Sequence, residues 1–465
     1  MVALWPFGLA LAQATLHAAV SAGGTNNAVS EVDGSDVEPD GFLRSNAGVG
    51  YLLRTPRATH QFDFTFGADV FIQRSQSVSF SSELGWVGEV APTADSILGL
   101  SLLGQTGRTS DLDLFADPSE IGSVARPQGS QLFASVAAGQ HLQWELGPDW
   151  SVGERVGLDF FTPLGDDGGQ ATTTSLDVEA NLSRVWLRDT GILSLRGSQG
   201  RTGEVTAEGM LVTPARRANI GEVALAWEHA YNDFWASHLG AGLLLVQVPN
   251  GKDPFADVSL NGTVTHRTRT GGSIIARFDR GVYTNVFVGD VLLQNAVGLH
   301  ASHPFGQNER WSASLDAEYQ RSQSVFVVEV REGGIQVFGA SAQLGYDWTR
   351  HLNVSFDLSY TYQDAKQALF FQNMMMTIIP PYTLNRFVGM VTLEWTYPQK
   401  ENAEGPAARR RVRGGSLPTQ LREEDRPGRP GSGQEGGSRG GAPAGTPQPP
   451  GSGTGPGGTQ GPSPR

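Results

Sequence analysis

Residues 335–364 read IQVFGASAQLGYDWTRHLNVSFDLSYTYQD, and their alternation decides the fold. Phe338, Ala340, Ala342, Leu344, Tyr346 and Trp348 take every second position. After a break at Thr349, Arg350 and His351, Leu352, Val354, Phe356, Leu358, Tyr360 and Tyr362 do the same. Between them stand Ser341, Gln343, Asp347, Asn353, Ser355, Asp357, Ser359 and Thr361, all polar. A period of two sends the apolar set to one face of a strand and the polar set to the other, so the stretch is a β-hairpin with one oily and one wet face. Each arm has about 12 to 14 residues, whereas strands of soluble domains run about 5 to 6 and membrane-crossing strands need ~9 to 11. The hairpin is long enough to cross a bilayer.

The pattern repeats outward along the chain. Arms are expected at 14–28 (through Leu16, Ala18 and Val20), 42–54, 60–73, 77–90 and 96–107, then in a hairpin over 130–162 that turns at Gly147, Pro148 and Asp149. Further arms fall at 173–187, 192–200, 218–231, 235–248, 255–266, 272–281, 286–303, 310–323 and 385–397. The fold class is therefore all-β: a transmembrane antiparallel up-and-down β-barrel over residues 13–397, with about eighteen strands and sixteen as the alternative count. Such a barrel hides its membrane face in the average composition, here 39% hydrophobic and 17% charged with 60 Gly. No run of 18 apolar residues offers a transmembrane helix. Zero Cys excludes disulfides and thiolate metal ligands and suits a cell envelope. A formal net charge of −13 argues against a nucleic-acid partner.

Two features accompany the alternation. Short connections at 55–59, 91–95, 147–149, 188–191, 232–234, 304–309 and 349–351 alternate with mostly long ones at 108–129, 163–172, 201–217, 324–334 and 365–384; 74–76 and 282–285 are short exceptions. Outer-membrane barrels of Gram-negative bacteria have short periplasmic turns and long outer loops. Leaving out Trp5, the other nine tryptophans (Trp86, Trp144, Trp150, Trp186, Trp227, Trp235, Trp311, Trp348 and Trp395) lie near a short turn or the end of the last strand and share the apolar parity. An indole prefers the headgroup boundary, where its ring is dry and its N–H wet, so these form an interfacial girdle.

The two ends read differently. Residues 1–12 have the apolar run and the Ala10-Leu11-Ala12 pattern of a signal-peptide remnant, without a charged n-region; an ordinary apolar N-terminus is the alternative. Residues 398–465 are rich in Pro, Gly and Ser, lack apolar periodicity, and carry ten Lys and Arg against six Asp and Glu, including Arg409, Arg410, Arg411 and Arg413. They are expected to be a disordered periplasmic tail, a solvated segment or a tether to anionic partners.

Chemistry-bearing motifs are missing: no nucleophile elbow, phosphate loop, dinucleotide fingerprint or zinc pattern stands in its context, so no catalytic, cofactor or metal residues are assigned. Asp111, Asp113, Asp117 and Glu120 share a loop without calcium-site spacing, and Gly165, Asp166, Asp167, Gly168 and Gly169 read as a flexible turn. The run ALFFQNMMMTIIPPY (368–382) is distinctive. Phe370, Phe371, Met374, Met375, Met376, Ile378 and Ile379 should avoid water, by folding inward as a constriction or by packing on the rim; a copper site is disfavoured because no His neighbours the Met run.

The parity opposite the apolar one is the functional surface. It carries Asp63, Asp69, Asp159, Asp177, Glu179, Glu228, Asp257, Asp316, Glu318, Asp347, Asp357 and Glu394, with cations at Arg155, Arg196, Arg277 and Arg386. These are the lumen-lining candidates. An acidic, hydroxyl-rich lumen suits cations or neutral hydroxylated solutes, sugars included; alternatively the groups cross-link or hydrate the inner wall.

With the N-terminal strand bearing Thr25, Asn26 and Asn27, the tandem long hairpins and the closing EWTYP at 394–398, the chain resembles the outer-membrane β-barrels associated with exopolysaccharide loci and exosortase (PEP-CTERM) systems. The final strand, FVGMVTLEWTY, also resembles the aromatic C-terminal signature of outer-membrane assembly substrates. The resemblance implies a non-enzymatic barrel in outer-membrane lipid that passes a polysaccharide or other polar solute in partnership with periplasmic export proteins. A general diffusion porin and an envelope enzyme on a barrel scaffold are the two other readings.

Overall fold

The computed structural model describes residues 11–27, 39–73, 78–108, 132–164, 171–207, 210–213, 215–249, 253–285, 290–306, 310–326, 334–365, 368–372, 375–379 and 382–398. Its strands, in chain order, begin with β1 (Leu11–Thr25), β2 (Asp40–Arg54), β3 (Ala58–Phe71), β4 (Val78–Thr93), β5 (Ser96–Arg108), β6 (Leu132–Glu145) and β7 (Trp150–Pro163). Next come β8 (Thr173–Trp186), β9 (Asp189–Thr202), β10 (Val205–Ala207), β11 (Met210–Thr213), β12 (Arg216–Ala230), β13 (Trp235–Gln247), β14 (Phe255–Arg267) and β15 (Ser273–Asn285). The last are β16 (Asp290–Phe305), β17 (Trp311–Ser324), β18 (Ile335–Asp347), β19 (Leu352–Ala365), β20 (Ala368–Gln372), β21 (Met375–Ile379) and β22 (Tyr382–Tyr397).

Eighteen of these strands form one antiparallel sheet that closes on itself. Each strand pairs with its sequence neighbour, and β22 pairs with β19 on one side and β1 on the other, from Leu16 opposite Tyr397 to Thr25 opposite Val388. Closure leaves no free edge between first and last strands, the requirement for a sheet in lipid. Two small ribbons lie outside the sheet, β10 with β11 and β20 with β21, both in connections on the long-loop end.

The period of two sorts the side chains as the sequence anticipates. Leu195, Val223, Leu243, Phe62, Phe64 and Phe66 project outward and are exposed, whereas Asp69, Asp177, Glu318 and Arg386 project inward and are buried. Eight of the nine tryptophans are outward and exposed; Trp86, also outward, is partly covered by the stacked rings of His60 and Phe62, each 6.1 Å away. The rings at the short-turn end touch one another: Trp235 lies 4.2 Å from His266, Trp311 4.5 Å from Tyr346, and Trp395 6.2 Å from Tyr397. Arg184 lies 5.1 Å from the rings of both Trp150 and Trp186, held there by cation–π attraction.

Burial of the inward face changes along β9 and β17. On β9, Ile192, Ser194 and Arg196 are partly accessible, while Ser198, Gly200 and Thr202 are buried; on β17, Ser314 and Asp316 are partly accessible, while Glu318, Gln320 and Ser322 are buried. The lumen is thus accessible in its short-turn half and filled at the long-loop end.

One described contributor to that filling departs from the regular wall. β14 and β15 pair only from Arg267 opposite Ser273 to Leu260 opposite Arg280, although β14 extends back to Phe255 and β15 on to Asn285. Beyond Arg280 the end of β15 (Gly281–Asn285) and the start of β16 (Asp290–Leu293), together called the tip, leave the wall and tuck behind it. Val282 and Val291, on the parity that faces lipid lower in the same strands, pack instead on Ala218 and Ile220 of β12 and Leu244 and Val246 of β13, all inward. A Cβ on Gly200 of β9 would stand 2.5 Å from Thr284 Oγ1 and 2.8 Å from Val291 Cγ2, so the tip touches the inner surface of β9.

Three sequence expectations shift. β1 spans Leu11–Thr25 where an arm over 14–28 was expected, with Leu11 opposite Arg54 and Ala12 opposite Leu53. β15 continues to Asn285, where a short connection at 282–285 was expected, because those residues are ordered by packing inside the lumen. The 368–382 run folds as the β20–β21 ribbon, with Phe370 opposite Thr377 and Phe371 opposite Met376; Met374 lies outside the described residues. Residues 1–10, the acidic loop with Asp111, Asp113, Asp117 and Glu120, the glycine-rich turn at 165–169, and residues 399–465 also lie outside them.

Candidate functional site: the lumen wall

All sixteen charged candidates project inward, and the register sets them in rows along the hydrogen-bonding direction. One row runs His141, Arg155, Glu179, Arg196, Glu222 across β6, β7, β8, β9 and β12, each opposite the next. Charge alternates from Arg155 onward, so each cation faces an anion. Arg196 donates to Asp177 at 2.8 Å and lies 3.9 Å from Glu222. Its guanidinium also reaches the Tyr283 ring of the tucked tip at 5.6 Å, and Tyr283 Oη in turn donates to the Asp279 carboxylate.

A second row runs Arg277, Gly298, Glu318, Gly339, Thr361, Arg386 across β15 to β22. Arg277 Nη2 bonds Glu318 Oε2 at 2.5 Å, skipping a whole strand. Gly298 makes this reach possible, since a Cβ there would stand 2.7 Å from Arg277 Nε. Gly99 plays the same part beneath the His141 ring, whose Cε1 would lie 1.9 Å from an added Cβ. Inward glycines let long polar side chains lie flat against the wall instead of projecting into the channel.

The remaining candidates bond locally. Asp63 accepts from Gln61 Nε2 at 2.6 Å, and buried Asp69 faces Arg44 at 3.5 Å. Asp159 sits between Ala137 and Ser175, and Glu228 meets His238 Nδ1 at 3.2 Å. Asp316 meets His300 Nδ1 at 2.5 Å, Asp347 accepts from Asn353 at 3.0 Å, and Asp357 accepts from Ser355 at 2.9 Å. Glu394 faces Asn353 and Ala19, and Arg386 is buried opposite Thr361. Asp257 serves the seam: it accepts two bonds at 2.8 Å from Arg280 Nη2 and one at 2.7 Å from the Val258 N–H, while Arg280 Nε donates to Val258 O at 3.2 Å.

Sequence reading missed Arg44, Glu222, Asp279, Tyr283 and His300. Arg44, Glu222 and His300 share the inward parity and were findable by it; Asp279 and Tyr283 gain their role only from the tuck. The wall is therefore a cross-linked polar surface, and the ion pairs have a measurable signature. In a double-mutant cycle, Arg277→Met and Glu318→Gln are expected to couple by about 1–2 kcal/mol in urea unfolding, since Glu318 is buried but Arg277 stays partly hydrated.

No protein-family model and no curated protein matches the chain. Among solved structures it is similar to OccAB3 from Acinetobacter baumannii, at 9% identity and a TM-score of 0.43 over 83% of this chain and 99% of that one. It is similar to OpdQ from Pseudomonas aeruginosa, at 9% identity and 0.40 over 83% and 97%. It is also similar to the siderophore receptor PirA from Acinetobacter baumannii, at 9% identity and 0.41 over 82% and 80%. The likeness is one of barrel architecture. It carries nothing about cargo.

Proposed function

We propose that the protein is an outer-membrane conduit that passes a polar solute through its lumen without catalysis, and that the cargo is a secreted polysaccharide. The observation that carries this reading is the two-faced wall: an apolar belt with an aromatic girdle outside, and an enclosed polar face rich in carboxylate, hydroxyl and amide groups inside. Such a surface exchanges hydrogen bonds with a hydroxylated chain at little cost, and flat-lying side chains leave no single deep well to trap it. Filling at the long-loop end fits a passage that opens on demand rather than one that conducts steadily. The likeness to barrels of exopolysaccharide and exosortase loci, which rests on the hairpin pattern and EWTYP, selects polysaccharide from among polar cargoes; periplasmic export proteins are its expected partners.

Deleting the gene is expected to abolish surface polysaccharide while periplasmic synthesis continues, and unchanged surface carbohydrate would refute export. In planar bilayers the purified barrel is expected to be mostly shut; steady open conductance would identify a general diffusion porin instead. A hydrolase-directed covalent probe is expected to leave the barrel unlabelled. Because carboxylates dominate the inner face, the open events should favour cations. Combined Asp63→Asn, Asp159→Asn and Asp357→Asn is expected to reduce the cation-to-anion permeability ratio roughly two- to fivefold, read from reversal potentials in a salt gradient.

A further inference from the structure

The seam between β14 and β15 is a break in the wall: their pairing stops at Leu260 opposite Arg280, although β14 reaches back to Phe255 and β15 on to Asn285. An unpaired strand edge facing lipid costs several kcal/mol per unsatisfied group, so a seam persists only where its backbone is served otherwise. At Val258 it is: the N–H goes to the Asp257 carboxylate, and the C=O receives Arg280 Nε, while Arg280 Nη1 reaches Asn295 at 2.7 Å. Side chains thus stand in for the missing strand. The departed residues have an equally specific place, with Val282 and Val291 buried against β12 and β13, Thr284 against Gly200, and Tyr283 beneath the Arg196 guanidinium.

We propose that the strand ends Gly281–Asn285 of β15 and Asp290–Leu293 of β16 are the gate of the conduit, exchanging this tucked position for pairing with the outer half of β14. The inference rests on the conduit reading and supplies its regulation. Continuing the register past Leu260 opposite Arg280 sets Val258 opposite Val282 and Ala256 opposite Thr284. In that zipped state Val282 and Thr284 regain the lipid-facing parity they share with Ile274, Ala276 and Phe278, and Arg280 releases the β14 backbone to its strand partner. The tip leaves the lumen, and the mouth widens by the thickness of a hairpin. The Val258 backbone is served in both states by different partners, as a two-state element with a small energy gap requires. Arg196 sets the balance: it holds Tyr283 in the tucked state only and keeps Asp177 and Glu222 in both.

Because the chain contains no cysteine, each state can be captured by one designed pair. Gly200→Cys with Thr284→Cys spans the tucked contact, and Val258→Cys with Val282→Cys spans the zipped pair at a Cα separation of about 5.5 Å, within disulfide reach. Protein in outer-membrane vesicles is oxidised with copper phenanthroline and bond formation is read by intact mass. We expect both pairs to close, the zipped pair more slowly, and Arg196→Ala to speed the zipped pair about three- to tenfold while slowing the tucked pair. Bilayer conductance should rise when the zipped pair is closed and fall when the tucked pair is. Closure of the tucked pair alone, with the zipped pair open even in Arg196→Ala, would make the tip a fixed plug and overturn the gate. Failure of both pairs in a barrel that keeps its heat-modifiable mobility would overturn it as well. If both pairs close but conductance is the same in either state, the movement stands and the conduit reading falls.

Discussion

Leu195→Arg is expected to lower the unfolding free energy by about 2–4 kcal/mol, the cost of a cation at the midplane of a lipid-facing barrel wall. Leu195 lies halfway along β9, 52% exposed, with outward Ala180 and Val223 on either side of it. In a soluble β-protein an exposed leucine is replaced by arginine at almost no cost, so the sign of the effect reports the solvent on that face. The matched change is Ser194→Arg, one residue away and pointing into the lumen. Water there leaves the new charge hydrated, and a loss under about 1 kcal/mol is expected. Urea midpoints in lipid vesicles give both numbers, and equal losses would mean that the two faces of β9 see the same medium.

Gly23→Val is expected to cost about 1–3 kcal/mol through overpacking at the line where the barrel closes. Gly23 sits on β1 opposite Met390 of β22 and Phe42 of β2. An added Cβ would lie 2.4 Å from Gly389 O, 2.7 Å from Phe42 Cζ and 2.8 Å from Met390 Cβ. The first of these is backbone, which cannot swing aside without parting the first and last strands. Its neighbour Gly24 is the control, because a Cβ there meets nothing nearer than Asp40 O at 3.6 Å. Heat-modifiable mobility should be lost at a lower temperature for Gly23→Val than for Gly24→Val.

Much of this architecture is legible in the sequence because a barrel in lipid has a simple rule: on every strand one parity must be apolar and the other polar. That rule yields all eighteen barrel strands and the inward direction of residues as far apart as Asp63 and Glu394. It says nothing about register, so the reach of Arg277 over Gly298 to Glu318 and the charge row from Arg155 to Glu222 emerge only when neighbouring strands are aligned. The rule also breaks where the inner parity meets an apolar segment instead of water. Val291, Leu292 and Leu293 are consecutive apolar residues, as are Leu243, Leu244, Leu245 and Val246, and Val282 stands beside Tyr283. These runs belong to strands with the apolar tip packing on the inner side and an apolar outer parity, and they mark the tip and the wall it packs against. A reading tuned to alternation takes residues 282–285 for a turn. The broken alternation was the signal.

The most direct test of the account is a cysteine scan along β8, one substitution at a time from Val178 to Ser183. Glu179→Cys, Asn181→Cys and Ser183→Cys are expected to react with a small, water-soluble, membrane-impermeant thiol reagent reaching the lumen from the short-turn side. Val178→Cys, Ala180→Cys and Leu182→Cys should resist it and instead, once labelled with a fluorophore, be quenched by nitroxide lipid. A strict alternation of the two signals is the expected result. Uniform reactivity along the strand, or lipid quenching at the polar positions, would contradict an apolar face turned to the membrane and a polar face enclosing water.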